Sequence, residues 1–417
     1  MDVLVPRCAG LDVHQAEIVA CAIVGPADRR LAKEHASFST TAQGLQDLAA
    51  WLKRHEVTHV GMEATGVYWM PVFAALEAHE VFEQIVANAQ HIKAVPGRKT
   101  DVKDAEWIAR LVRHGLVRKS FVPGKPFRVL RDLLRYRRAL METQASERNR
   151  LIRQLEIADV KLASVVSDVF GVTGRAIVRA LIAGETDAQV MANMARGHLR
   201  RKRQAIREAL GATPQIHQRK ILAVQLARVE AAETDIAALD RDIDELLKPY
   251  EAQMRLLVRI PGFDRVVAAS VIAEIGVDLS SFPTAGHLSA WSGLCPGNHA
   301  SAGRRKPTPA RKGNPHLKTT LKNAAISASR TNGTYYKAKY HRLKARIGGG
   351  KAALAIAHKL LIAVYHILTT GTPFRDLGET FLDKIDVKRT AKRYVQKLEK
   401  LGFKVIIGAP GQPAPAL

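Results

Sequence analysis

Two short apolar runs near the start of the chain each end in a carboxylate, and this limits the fold more than any other feature. Val3-Leu4-Val5 leads into Cys8-Ala9-Gly10-Leu11-Asp12, and Val57-Thr58-His59-Val60-Gly61-Met62-Glu63 closes on a Gly/Thr-rich turn. Each run is short, apolar and bounded by turn residues, which reads as a strand. Residues 3–25 read as a strand pair, with Glu17 to Val24 as its second member, and Val81 to Val86 adds a further strand. Helical stretches lie between them. Thr40 to His55 puts Leu45, Leu48, Ala49 and Leu52 on one face, and Tyr68 to Ala78 and Thr100 to Val112 also read as helices. Strands alternating with helices imply an α/β domain. If the two carboxylate-ended strands are neighbours, Asp12 and Glu63 meet at one edge of the sheet.

Asp101 and Asp104 stand three apart at the start of the third helical stretch, so they project from one face. Each acid also has an ordinary reading. Asp101 suits an N-cap, Asp104 suits a first turn, and Asp12 and Glu63 suit turns. Taken together and in this order they suit metal binding. Carboxylates crowded into one pocket repel one another, and a hard divalent cation such as Mg²⁺ is their natural partner. Two such ions roughly 3.5–4 Å apart stabilise both the attacking and the leaving oxygen of a phosphodiester displacement.

The charge is unevenly spread. The chain carries 64 Lys and Arg against 39 Asp and Glu, for a net +25. Residues 1–110 hold 11 basic and 14 acidic side chains, whereas residues 111–417 hold 53 and 25. Residues 279–375 contain 16 Lys or Arg and no acid at all. A solvated helix face interleaves both signs, so an acid-free stretch of this length points to a phosphate-rich partner. A membrane surface is a poor alternative, because no long amphipathic Trp/Phe/Leu face accompanies the charge. A hydrophobic content of 47% excludes general disorder. Three cysteines, Cys8, Cys21 and Cys295, have neither metal nor disulfide spacing, which fits a reducing cytoplasm. The opening Met-Asp-Val-Leu-Val-Pro-Arg is not a signal peptide. Ala352 to Thr369 is too short and polar to span a bilayer and reads as a buried helix.

The remainder is helical by pattern. Residues 127–165 and 217–259 read as long helices. In the second, Val229, Ala232, Ile236, Leu239, Ile243, Leu246 and Tyr250 alternate steps of three and four, which is either a coiled-coil seam or a helix packed on its own domain. Residues 166–216 are mixed, with a basic run from Arg196 to Arg207. Residues 255–370 form a compact, mostly helical domain, 386–407 a basic helix with a final apolar run, and 408–417 a tail. Four regions result: an α/β domain at 1–125, a helical, coiled-coil region at 126–254 suited to oligomerisation and nucleic-acid contact, a mostly α-helical domain at 255–385, and a basic helix and tail at 386–417.

Gly10-Leu11-Asp12-Val13-His14, Met62-Glu63-Ala64-Thr65-Gly66 and Lys99-Thr100-Asp101-Val102-Lys103-Asp104-Ala105 together resemble the RuvC-like (RNase H-like) DEDD domain of a family of bacterial insertion-sequence transposases. These are the RNA-guided bridge recombinases, which join that domain to a C-terminal domain bearing a serine. The C-terminal half is similar to the same family: Ile260-Pro261-Gly262-Phe263, then Ala290-Trp291-Ser292-Gly293-Leu294-Cys295-Pro296, then Ala300-Ser301-Ala302-Gly303-Arg304-Arg305-Lys306, then Arg311-Lys312-Gly313-Asn314-Pro315-His316-Leu317.

The resemblance implies that Asp12, Glu63, Asp101 and Asp104 hold Mg²⁺ or Mn²⁺. It makes Ser301 the nucleophile that links covalently to DNA. Arg304, Arg305, Lys306, Arg311, Lys312 and Lys318 would be nucleic-acid contacts, since guanidinium and ammonium groups stabilise charge on phosphate oxygens. It further implies DNA ends and target as substrates, a structured guide RNA, a homodimer assembling to a tetramer, no membrane, and a bacterial, nucleoid-associated location. Read from the residues alone, Ser301 is more often an ordinary loop serine than a nucleophile, and a metal-only RuvC-like nuclease or junction resolvase remains open. His299 is a candidate helper base. His14, His91 and His316 read as surface hydrogen-bonding residues. Ile260 to Phe263 is either half of a phosphate-binding helical hairpin or a plain helix–turn–helix packing unit. Gly348-Gly349-Gly350-Lys351 is no P-loop, because Ala352 stands where Ser or Thr is needed.

Overall fold

The structure, a computed structural model, describes residues 2–25, 32–64, 66–89, 92, 104–295, 300–301, 304–305 and 313–406, with 300–301 and 304–305 described by their backbone alone. It divides into two compact units, Met1–Val122 and Pro123–Leu417.

The first unit is a five-stranded sheet covered on both faces. Its strands are β1 (Arg7–Val13), β2 (Glu17–Val24), β3 (Ala32–Ser39), β4 (His59–Glu63) and β5 (Glu83–Ala87), in the order β3-β2-β1-β4-β5. β1, β2 and β3 pair antiparallel, and β1–β4 and β4–β5 pair parallel. Side chains alternate across the sheet. Ala9 and Leu11 of β1 join Val60 and Met62 of β4 in a core completed by Leu48 and Leu52 of α1 (Ala42–Arg54) and by Val72 and Leu76 of α2 (Trp69–Glu77). Cys8, Cys21 and Ile23 face the other way, onto Ile108, Ala109 and Val112 of α3 (Asp104–Arg113).

The α/β reading therefore holds, with each expected strand and helix present. β3 went unread in the sequence. It is an edge strand with an exposed pattern, so it lacks the apolar alternation that marks the others. Its Lys33 donates to Glu106 of α3 at 2.9 Å, which ties the edge to the helix. Burial pushes the Glu106 carboxyl up, but hydrogen bonds from Lys33 and Arg110 outweigh it and leave the group below its usual range.

Among the described residues, the regular structure of the second unit is helical apart from one short ribbon. α4 (Lys125–Ile157) and α6 (Ile216–Leu247) form an antiparallel hairpin, joined side to side by Arg137–Asp240, by Gln144–Glu233 at 3.1 Å and by Arg228–Glu147 at 3.4 Å. The heptad seam of α6 is used within the chain: Val229, Ala232 and Ile243 are buried in this packing. Both long helices end earlier than the periodicity indicates. α4 stops at Ile157, and Asp159 adopts a left-handed backbone (φ 56°). α6 gives way at Leu247 to a 3₁₀ turn, Lys248–Tyr250, because Pro249 has no N–H and cannot continue the ladder. A separate helix, Glu251–Leu257, follows.

Residues 166–216, opaque in the sequence, form a module capping the hairpin's far end. α5 (Val172–Ala183), two short helices (Ala188–Asn193 and Arg203–Ala209) and a 3₁₀ helix (Gly197–Lys202) close over Leu151 and Leu155 of α4 and Leu222 and Leu226 of α6.

Near the other end of the hairpin, α7 (Arg265–Ile275) packs on α4, and α8 (Ala285–Trp291), α9 (Pro315–Ala328) and α10 (Tyr335–Ile347) pack with α11 (Gly349–Thr370). By length and composition alone α11, 22 residues, is long and apolar enough to cross a membrane, which corrects the reading of this run as too short and polar. Here Ala352, Ile356, Leu360, Leu361, Val364 and Ile367 instead fill the core of this helical group, as expected of a buried helix. α12 (Val387–Lys400) matches the basic helix read at 386–407, though it ends at Lys400; the tail beyond 406 lies outside the described residues.

Candidate functional site

Parallel pairing of β1 with β4 puts Leu11 opposite Met62, so Asp12 and Glu63 follow at the next step, on adjacent strands. Gly10 and Gly61 lie two residues before these acids and therefore face the same side of the sheet as them. That side is covered by α3, which comes very close. A Cβ at Gly10 would collide with the Ala105 carbonyl and the Ala109 amide, and one at Gly61 with Val112 and Ile108. The two glycines are what let the helix lie flat on these strands.

The direction of α3 follows from its partners. Ala105 lies over Gly10, the Ala109 carbonyl accepts from Cys8 Sγ at 3.4 Å, and Arg113 donates to the Pro6 carbonyl at 3.1 Å. The helix thus runs antiparallel to β1. Its first residue, Asp104, lies toward the strand end that carries Asp12 and Glu63. Acids in its first turn and Arg110 and Arg113 in its last match the helix dipole.

Sheet register and helix direction thus bring Asp12, Glu63 and Asp104 to one edge. Asp101, the fourth acid, lies outside the described residues. Among the described residues no three His, Cys, Asp or Glu side chains stand close enough together to hold a metal ion. The donor set still fits Mg²⁺ or Mn²⁺: every acid at this edge offers hard carboxylate oxygens, with no thiolate to favour a softer ion. Asp12 is partly exposed, and His14 Nε2 donates to its Oδ2 at 3.1 Å. His14 was read as a surface residue, and this contact makes it a direct partner of one candidate ligand. Burial pushes the thiols of Cys8 and Cys21 up to about 11 and about 12, so neither is a nucleophile near neutral pH.

In the second unit, Ala300–Ser301 pairs antiparallel with Arg304–Arg305, with Ser301 opposite Arg304, as a two-stranded ribbon. Lys306, Arg311, Lys312 and His299 lie outside the described residues, as does His91 in the first unit. Lys318 is on the first turns of α9.

The segment bearing the ribbon is pinched where it leaves and returns. Gly313 sits on Ser292 and Gly293 so tightly that a Cβ would collide with the Gly293 amide. Asn314 then caps α9, its Oδ1 accepting from His316 N at 3.0 Å and Leu317 N at 3.1 Å, while its Nδ2 donates to Glu274 Oε2 at 2.6 Å.

Glu274 is the hub that the sequence reading missed. It is 4% exposed, in the buried C-terminal half of α7. Arg135 of α4 donates to both its oxygens at 2.9 Å. Arg131 donates through Nη2 to its backbone carbonyl at 2.8 Å. Arg131 Nε stands 3.1 Å from Oε2 without hydrogen-bond alignment, a purely Coulombic contact. Beside the hub opens a cavity of about 340 Å³, lined by Arg135, Arg138, Ser270, His316, Thr320 and Asn323 among others. Burial, then the charge of Arg135, lowers the His316 pKa and keeps that imidazole neutral. A lone carboxylate in the apolar run Ala268 to Ile275 was the available signal for Glu274.

The turn at Ile260–Phe263 resolves as packing. Gly262 (φ 85°) lies against the Ala324 carbonyl and Ala328 of α9, and Asp264 caps α7 by accepting from Val267 N at 2.7 Å.

Two family models match, and both are transposase models. The DEDD transposase model of the IS110 type covers residues 9–158, and the transposase model of the IS116/IS110/IS902 family covers 254–341. The chain belongs to the IS110-type family of insertion-sequence transposases. A Pseudomonas aeruginosa protein described as a probable family 20 transposase is 26% identical over 151 residues, 35% of this chain and 44% of that protein. A Streptomyces coelicolor protein described as an insertion element IS110 uncharacterized 43.6 kDa protein is 30% identical over 142 residues, 32% of this chain and 33% of its own. The aligned stretches span less than half of either relative. The first model takes in the four acids and the second the Ser301 ribbon and the Glu274 hub.

Proposed function

We propose that the chain cuts and rejoins DNA to excise and insert its own element, with Ser301 as nucleophile and a RuvC-like carboxylate site as its metal-dependent partner. The observation that supports this reading is the placement of Asp12, Glu63 and Asp104 toward one sheet edge, in a chain whose second unit pairs Ser301 with Arg304 in a two-stranded ribbon.

Asp12, Glu63 and Asp104, with Asp101, would hold Mg²⁺ or Mn²⁺, which when bound neutralises charge on phosphate oxygens. Asp12 is kept in place by His14 until a ligand competes for its oxygens. Ser301 Oγ forms a bond to phosphorus as the bond to the departing deoxyribose oxygen breaks. The serine proton leaves to solvent or a neighbouring base, and the departing oxygen takes up a proton. The phosphoserine ester conserves the bond energy, so rejoining by a DNA hydroxyl needs no further energy source. Arg304 and Arg305, with Lys306, Arg311, Lys312 and Lys318, stabilise the phosphate charge. A structured RNA guide read by base pairing, and a dimer or tetramer that pairs the acids of one subunit with the serine of another, complete the reading.

The test is a search for the covalent link. The chain is produced with its native flanking DNA and the RNA transcribed from it, given supercoiled plasmid carrying the element junction and Mg²⁺, and stopped in denaturant. We expect DNA to stay bound to the wild type, to be lost in Ser301→Ala, and to be reduced at least about a hundredfold in Asp12→Asn, in line with the loss of a principal electrostatic group. Cleavage that leaves no adduct and survives Ser301→Ala sinks the serine mechanism and leaves a metal-only nuclease or resolvase.

A further inference from the structure

Within the module that caps the hairpin, Arg196, Arg200, Arg201 and Arg203 are all exposed, and among the described residues no carboxylate pairs with any of them. Nearby arginines are treated differently. Arg148 pairs with Asp168, Arg175 and Arg179 with Glu230, and Arg228 with Glu147. Of the other acids of the module, Glu185 and Asp187 accept from backbone amides and Glu208 from Gln204, so the four arginines, close in sequence, are left without an ion pair. Like charges inside one Debye length, about 8–10 Å, destabilise the free protein unless a partner answers them.

These arginines also stand on a fixed frame. Arg200, Arg201 and Arg203 lie on the 3₁₀ helix and the first residue of the helix that continues it. Leu199 and Ile206 on either side pack into the module core, and Arg196 N donates to Thr173 Oγ1 at 3.0 Å. The residues between them offer no exposed apolar side chain, which disfavours a lipid surface. A planar guanidinium matches the oxygens of a phosphodiester.

We propose that this cluster is a second DNA contact, gripping the duplex backbone beyond the site served by Ser301. The identity of the partner rests on the reading above. The module and the Glu274 hub lie along α4, one unbroken helix that meets Glu274 through Arg135 and enters the module core at Leu151. At the α-helical rise these points are about 24 Å apart, or roughly seven base pairs of duplex at 3.4 Å each. On this proposal the cluster engages duplex about that far from the hub end of the hairpin, through phosphates, and reads no sequence.

The test measures binding of the full chain to a labelled mixed-sequence DNA duplex of about 30 base pairs as salt is varied. In Arg200→Ala/Arg201→Ala/Arg203→Ala we expect the slope of log affinity against log salt to fall by about 2 to 3, from roughly 0.9 per phosphate contact. Arg179→Ala/Lys248→Ala/Arg265→Ala removes three ion-paired surface cations and is expected to change the slope by less than about 1. The lysine triple at 200, 201 and 203 keeps the charge and should keep the slope, which guards against a folding artefact. Equal losses in the two alanine triples overturn the proposal, as does an unchanged slope on DNA, even if an RNA duplex of the same length shows a loss. The serine chemistry is read as a covalent adduct and this contact as a salt slope of reversible binding, so their failures are distinguishable.

Discussion

At the scale of single residues, the most consequential side chain is one that touches no candidate ligand. Glu274 is buried against two arginines, and a buried ion pair broken from one side leaves uncompensated charge costing about 3–5 kcal/mol. We expect Glu274→Ala to lower stability by about that amount in urea unfolding. Asn314→Ser separates the two jobs of Asn314. Serine caps a helix about as well as asparagine, so α9 should survive, but the amide donor to Glu274 is gone, a loss of about 1.5–3 kcal/mol for a bond to a charged group. Unfolding midpoints of both variants within error of the wild type would show the hub to be inert. Sequence reading reached Asn314 as part of a motif but had no route to the hub. Arg131 and Arg135 lie more than a hundred positions from Glu274, and periodicity carries no information across that gap.

At the scale of elements, legibility followed the strength of local pattern. The buried strands β1, β2, β4 and β5 declared themselves by apolar runs, whereas exposed β3 did not. Pro249 marks a helix end that the heptads of α6 run through, because hydrophobic spacing alone does not register a missing N–H. The acids Asp12 and Glu63 were legible because each terminates a strand. That α3 would lie on these strands was legible only in retrospect, from Gly10 and Gly61. Gly10→Ala tests that packing. With no room for a methyl between β1 and the backbone of α3, the helix must lift, at about 1–3 kcal/mol or more for overpacking. The same shift carries Asp104 away from Asp12. We therefore expect a lower melting temperature together with loss of any rise in melting temperature on adding Mg²⁺. Retention of the wild-type Mg²⁺ response in a destabilised Gly10→Ala would separate α3 from the metal site.

At the scale of the whole molecule, the boundary between the units is also a boundary in charge. Met1–Val122 holds 14 basic and 14 acidic side chains, so all of the net +25 belongs to Pro123–Leu417. A carboxylate site set in a strongly basic unit would attract phosphate without any metal, and the cations around it would compete with metal for the acids. On the proposed reading, acids kept in a neutral unit would reserve their affinity for the ion and leave the capture of nucleic acid to the other unit. This division of labour has a measurable form. A 123–417 fragment, checked for helicity by circular dichroism, should reproduce most of the salt slope of the full chain on duplex DNA, because slope counts phosphates neutralised by Lys and Arg. A 1–122 fragment should bind the same duplex weakly, with a slope below about 1, and should gain affinity only when Mg²⁺ bridges its carboxylates to phosphate. A 1–122 fragment that binds with the full slope in the absence of Mg²⁺ would mean that the neutral unit carries its own phosphate track, and the charge boundary would then have no part in how the chain takes hold of DNA.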